Sequence, residues 1–247
     1  MGLEDMQLGI FRHGESLYSQ GETTLESADD LIPLGIQTVS SSAFDFSAAL
    51  SRDKGVTIYS SPAGRTLHTA KIISSALKRI EIPVDEIVID RGLGEVANFD
   101  WSLFSPLISG GEIKLNGMHF YIDKKESNPN GLSGKDYLMQ DLCHRLPRGL
   151  KIRLPSDYLQ ALDKFERYND VSARMRDFLA RMHKGRSNKD VVASTHEALF
   201  YDIMDRFSGG TVPSLKPGDY VHLQKKEDGF SLVRAQGIRN LGKILRV

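Results

Sequence analysis

The chain has 247 residues, enough for one large domain with a sizeable core, and its 32 Lys+Arg balance 32 Asp+Glu. No overall charge draws it to nucleic acid or to an acidic membrane, so any demand for positive charge must be met locally. The single cysteine, Cys143, excludes an intrachain disulfide; with no signal-peptide pattern and no apolar run near ~20 residues, the sequence predicts a cytoplasmic protein without a membrane span.

Gln7–Phe11 alternates apolar and polar positions and reads as a strand. Pro33 and Gly35 open a helical stretch with Ile36, Val39, Ala43, Phe46 and Leu50 on one face. Val56–Ser60 is β-branched and aromatic and reads as a second strand. Ser61-Pro62 follows as N-cap and first-turn pair of a helix carrying Leu67, Ala70, Ile73, Leu77 and Ile80. Val84–Ile89 is strand-like. Helical spacing returns over Ser156–Met182, and Asp190–Thr195 has the composition of a buried strand. Glu197–Phe207 reads as a helix closed by Gly209-Gly210, and the β-type runs Tyr220–Gln224 and Phe230–Ala235 come last. Strands alternating with helices predict a three-layer α/β/α architecture with a mostly parallel central sheet.

Residues 101–155 break this rhythm with six Gly and four Pro from Pro106 to Pro155. The expectation is one domain over 1–247 with an insertion at about 101–155, either a loose surface segment or a cap over a ligand site. The basic run His144–Arg153 inside it suits an anionic substrate, although a solvated loop explains it as well.

Ligands of open α/β sheets sit outside the carboxyl ends of the strands. The first strand ends in Arg12-His13-Gly14, the second runs into Ser60-Ser61-Pro62 with Arg65 soon after, and the Asp190–Thr195 strand ends in His196. Two arginines and two histidines therefore converge if these strands are neighbours. Such a set suits a phosphoryl group. Arginine offers a permanently charged fork to its oxygens, a neutral imidazole can attack phosphorus, and a protonated one can stabilise the charge that builds on the equatorial oxygens. Cleaving a phosphomonoester also expels a poor leaving group, which calls for a general acid. Glu95 follows a strand and precedes the insertion; Glu197, beside His196, is the rival and equally suits a helix N-terminus.

These motifs resemble those of the histidine phosphatase superfamily, in the branch related to the cofactor-dependent phosphoglycerate mutases. The matching stretches are RHGES at Arg12–Ser16, LIPLG at Leu31–Gly35, YSSPAGRTLHTA at Tyr59–Ala70, GLGE at Gly92–Glu95 and VVASTHE at Val191–Glu197. The resemblance covers about residues 6–98 and 170–210. It implies His13 as the nucleophile, Arg12, Arg65 and His196 as the rest of the phosphate pocket, and Glu95 as the acid that protonates the leaving oxygen and then activates water. Three positions depart from the mutase pattern: Ser19 where Asn is common, Val96–Trp101 where a Gly-rich turn ends in Trp-Glu-Gly, and Glu197-Ala198 where Gly-Gly is common. They weaken the transfer of mutase activity.

The expected function is a metal-independent phosphatase acting through a phosphohistidine on a phosphorylated small molecule or phosphoprotein. The alternatives are a phosphomutase and a non-catalytic phosphate-binding module. No cofactor and no metal are expected: P-loop, GxSxG, HExxH and CxxC patterns are absent, and His68, His119, His144, His183 and His222 show no ligand spacing. Substrate identity and oligomeric state are left open by the sequence.

Overall fold

The computed structural model describes residues 6–17, 29–95, 113–115, 118–120, 168–185, 188–200, 203, 215–235 and 244–246. In chain order these hold β1 (Gln7–Arg12), α1 (Pro33–Ser47), β2 (Val56–Ser60), α2 (Gly64–Arg79), β3 (Val84–Ile89) and a 3-10 turn at Arg91–Leu93. The short strands β4 (Ile113–Leu115) and β5 (Met118–Phe120) follow, then α3 (Tyr168–Lys184), β6 (Asp190–Thr195), β7 (Tyr220–Lys226), β8 (Gly229–Ala235) and β9 (Ile244–Arg246). Residues 197–200 are helical.

A seven-stranded sheet runs in the order β3-β2-β6-β1-β7-β8-β9. The β3-β2, β2-β6 and β6-β1 pairs are parallel, and β7, β8 and β9 continue the sheet antiparallel. The central strands are deeply buried: every residue of β6 is buried, as is every residue of β1 after Gln7. That continuous burial belongs to strands covered on both faces.

The alternation along β2 shows the two cover layers. Val56 and Ile58 join Phe11, Val39, Ala43, Phe46, Ala70, Ile73, Leu77 and Val192 in one core under α1 and α2. Tyr59 points to the opposite face, where its ring meets Phe178 of α3 edge-on at 5.7 Å. Each side chain fully buried in these layers contributes ~1.5–3 kcal/mol. This is the three-layer arrangement expected from the sequence.

Two local expectations are corrected. The buried stripe of α1 is Gly35, Val39, Ala43 and Phe46, while Ile36 is exposed. A Cβ at position 35 would overlap the Glu15 carbonyl, so the helix presents its glycine to the loop after β1 and turns Ile36 outward. The N-cap of α2 is Ala63, not Ser61, because the backbone stays extended through Ala63 (φ −65°, ψ 142°).

The chain divides into two compact units, Met1–Glu95 with Arg174–Val247, and Val96–Ala173. The second holds the antiparallel β4–β5 hairpin, within the stretch the sequence had left without regular elements. A cap formed by 101–155, the helical reading before Tyr168, the end of the helix at Gly209-Gly210, and Ser19 lie outside the described residues. Among the described residues, no helix is long and apolar enough to cross a membrane.

Candidate active site

β1, β2, β3 and β6 are parallel, so their carboxyl ends share one edge of the sheet. The register sets Arg12 beside Thr195 and Ser60 beside Ser194, which brings the residues that follow these strands together. His13 and His196 lie with ring centroids 5.4 Å apart.

His13 is buried, and its Nδ1 lies 2.8 Å from the Gly14 carbonyl oxygen. A carbonyl only accepts, so Nδ1 carries the proton and Nε2 keeps its lone pair. Nε2 in turn receives the Arg65 Nε–H at 3.3 Å. Burial, with repulsion from His196, Arg65 and Arg12, holds His13 well below the ordinary imidazole pKa; the bond to the Gly14 carbonyl acts the other way. The ring is therefore neutral at neutral pH.

Arg12 is gripped from two sides. Its backbone N–H donates to the Asp219 carbonyl at 2.9 Å, and its Nη1 donates to the Leu215 carbonyl. Gly218, at φ +85°, lets the 215–219 turn curl back so that its N–H reaches the Arg12 and His13 carbonyls. On the other side Nη2 pairs with Glu197 Oε2 at 2.7 Å. The Arg12 Nε is buried and has no partner among the described residues.

Arg65, in the first turn of α2, spreads its guanidinium across the pocket. Nη1 pairs with Asp29 at 2.9 Å, and Nη2 stands 3.3 Å from His196 Nδ1 and 3.6 Å from Glu95 Oε2. Asp29 also accepts the Gly64 N–H at 2.9 Å, so one carboxylate holds both the helix start and the arginine. His196 is fully buried; its Nε2 meets Ser61 Oγ at 2.9 Å and its Nδ1 meets Glu95 Oε2 at 3.2 Å.

The structure thus brings together Arg12, His13, Arg65, Glu95 and His196. It places Glu197 on Arg12 instead, largely buried at 14% side-chain exposure against 30% for Glu95. The sequence reading missed Asp29, and it gave Ser61 a capping role where the structure sets its Oγ against His196 Nε2. Neither carried a local signal, because Asp29 meets Arg65 across 36 positions and Ser61 meets His196 across 135. Among the described residues, no group of three or more His, Cys, Asp or Glu is arranged to hold a metal ion.

The sheet order and covering helices define a mixed α/β protein of phosphoglycerate mutase-like architecture. Residues 8–104 match the family model of the histidine phosphatase superfamily (branch 1). No curated protein matches the chain. Solved structures share its fold over almost its whole length. YhfR of Bacillus stearothermophilus is 18% identical, with 94% of this chain and 96% of that one covered and a TM-score of 0.58. Phosphoglycerate mutase from Bacillus anthracis is 12% identical, with 94% and 92% covered and a TM-score of 0.59. The mycobacterial glucosyl-3-phosphoglycerate phosphatase solved with VO3 is 16% identical, with 95% and 99% covered and a TM-score of 0.52. The superfamily model thus matches residues 8–104, and the fold is similar to that of solved proteins named as a mutase and a phosphatase.

Proposed function

We propose that the protein is a phosphatase that hydrolyses a phosphomonoester, or a phosphoramidate, through a phosphohistidine on His13. The observation that carries this reading is the His13 ring: buried, depressed in pKa, and with Nδ1 committed to the Gly14 carbonyl. Its Nε2 lone pair is left as the nucleophile, and it faces the Arg65 Nε–H at 3.3 Å rather than a base.

In the first step Nε2 attacks phosphorus, the P–O bond to the leaving group breaks, and a P–N bond forms. Arg12, Arg65 and His196 surround the transferring group and offset charge on its equatorial oxygens, so positive charge comes from side chains rather than from a metal. A phosphoryl oxygen also supplies a partner for the buried Arg12 Nε. Glu95, when protonated, gives its proton to the leaving oxygen. As a carboxylate it then takes a proton from water, which attacks phosphorus, breaks the P–N bond and releases inorganic phosphate and neutral His13. Glu197 is the poorer donor because its carboxylate is held on Arg12 at 2.7 Å, whereas Glu95 stands 3.6 Å from Arg65 and is the more exposed of the two.

The names of the fold relatives, a phosphoglycerate mutase and a sugar-acid phosphate phosphatase, fit a phosphorylated small molecule as substrate; a phosphoprotein uses the same chemistry. A phosphomutase would return the phosphoryl group from His13 to a second oxygen of a bound intermediate. Rapid quenching of the wild-type enzyme with 32P-labelled aryl phosphate, with chelator present, should trap an acid-labile, alkali-stable phosphoenzyme that is absent in His13→Ala. Rapid turnover without that species overturns the reading. Label passing to an added acceptor alcohol in preference to water selects the mutase.

A further inference from the structure

The geometry points to Arg174 as the positioning residue of the general acid, an inference that rests on the assignment of Glu95 above. Arg174 lies on α3, far from Glu95 in sequence. Its Nη1 donates to the carbonyls of Gly92 at 2.8 Å and Gly94 at 3.0 Å, and its Nη2 donates to the carbonyl of Glu95 at 3.4 Å. One planar guanidinium thus collects three of the four carbonyls of the GLGE turn, and the fourth, that of Leu93, goes to Thr195. No lysine can do this, because an ammonium lacks the fork that spans them.

The location gives the clamp its purpose. Glu95 is the last residue of the first compact unit before the chain leaves it, and Arg174 is the first residue after it returns. Without a tie at that point, the backbone of Glu95 would follow the 96–173 excursion. The rest of the turn is anchored independently. Asp90 accepts the Gly92 N–H at 2.8 Å and pairs with Arg181 at 2.6 Å, and the Leu93 carbonyl accepts Thr195 Oγ1 at 2.7 Å. These bonds hold the turn upstream of Glu95. The Arg174 bonds take hold further along, at the carbonyls of Gly94 and Glu95, where the Gly94 N–H also closes onto the Arg91 carbonyl at 3.0 Å. The carboxylate sits 3.2 Å from His196, and a shift of its backbone by a fraction of that distance removes it from the leaving oxygen.

The test is a Brønsted series: kcat/KM for aryl phosphates from phenyl to dinitrophenyl phosphate, in wild type, Glu95→Gln, Arg174→Met and Arg174→Lys. This quantity reports phosphoryl transfer to His13 and not the later hydrolysis. A working acid flattens the dependence on leaving-group acidity. Arg174→Met should steepen it as Glu95→Gln does, with a ~10-fold or larger loss on phenyl phosphate and a few-fold loss at most on dinitrophenyl phosphate. Adding Glu95→Gln to Arg174→Met should steepen it no further than Glu95→Gln alone. Arg174→Lys keeps the charge and fold should Arg174→Met fail to fold, and is expected to steepen the slope too. A merely structural arginine lowers all substrates alike. An unchanged slope in the Arg174 variants beside a steep one in Glu95→Gln overturns the inference alone. A flat slope in Glu95→Gln overturns the acid assignment and the inference with it.

Discussion

Replacing Glu197 with Gln separates structural from chemical carboxylates. The Glu197–Arg12 pair is 2.7 Å long with 14% and 9% of the side chains exposed, so solvent screens it little. Gln keeps the shape and a carbonyl oxygen for Arg12 Nη2 but loses the charge. A hydrogen bond to a charged group is worth ~1.5–3 kcal/mol, and a carboxylate in the first turn of the helix that begins at Glu197 adds ~0.3–1 kcal/mol through the dipole. The expected loss of folding stability is therefore about 2–4 kcal/mol, read from urea unfolding at pH 7. Glu197→Ala, which strands the Arg12 guanidinium, should cost ~3–5 kcal/mol. An oxyanion in the pocket returns negative charge to Arg12, so saturating vanadate should narrow the gap between Glu197→Gln and wild type. The Brønsted slope should stay at the wild-type value. A steepened slope in Glu197→Gln, or stability within ~0.5 kcal/mol of wild type, would refute the assignment of this carboxylate to Arg12.

Two further outcomes are expected. Arg65→Lys keeps one charge but cannot reach His13, Asp29 and His196 together, and kcat/KM should fall by ~10²-fold, about 2.7 kcal/mol of transition-state stabilisation; kinetics within a few-fold of wild type would show that the fork is unused. His222 is pushed down to about 4 by burial and by Arg234, and it donates to Gln7 Oε1. Its folded pKa lies below the unfolded value of ~6.5, so the neutral ring's contribution is intact above pH 6.5 and is lost as pH falls toward 4. Wild type should lose about 3 kcal/mol over that window relative to His222→Gln, and a pH-independent difference in urea unfolding would contradict the depressed value.

Arg12, His13, Arg65 and His196 were legible in the sequence because each follows the end of a strand or opens the next helix. A parallel sheet puts all those ends on one edge. Glu95 was legible as the leading candidate acid, with Glu197 as its rival. The two carboxylates differ only in which cation each meets, and that depends on side-chain directions set by the fold. Asp29 and Ser61 were hidden for a related reason: their partners lie in other segments and form no spaced pattern. Strand order was equally hidden, since nothing local says that β6 enters between β2 and β1. The β4 and β5 strands have three residues each, too few for alternation to show, although the dipeptide Asn116-Gly117 between them is the commonest two-residue hairpin signal.

That insertion of β6 has a consequence for how activity is born. β1 and β2 are separated by two strand spacings, roughly 10 Å, and the strand that sets this gap comes more than a hundred residues after both. A growing chain that has emerged as far as Gly185 already carries Arg12, His13, Arg65 and Glu95, yet it lacks both His196 and the spacer that sets His13 against Arg65. Loop-closure entropy over so long a separation must be met before any contact in the pocket returns it. Half-made chains therefore hold His13 without its partners, and the pocket is complete only when the middle of the sheet is filled.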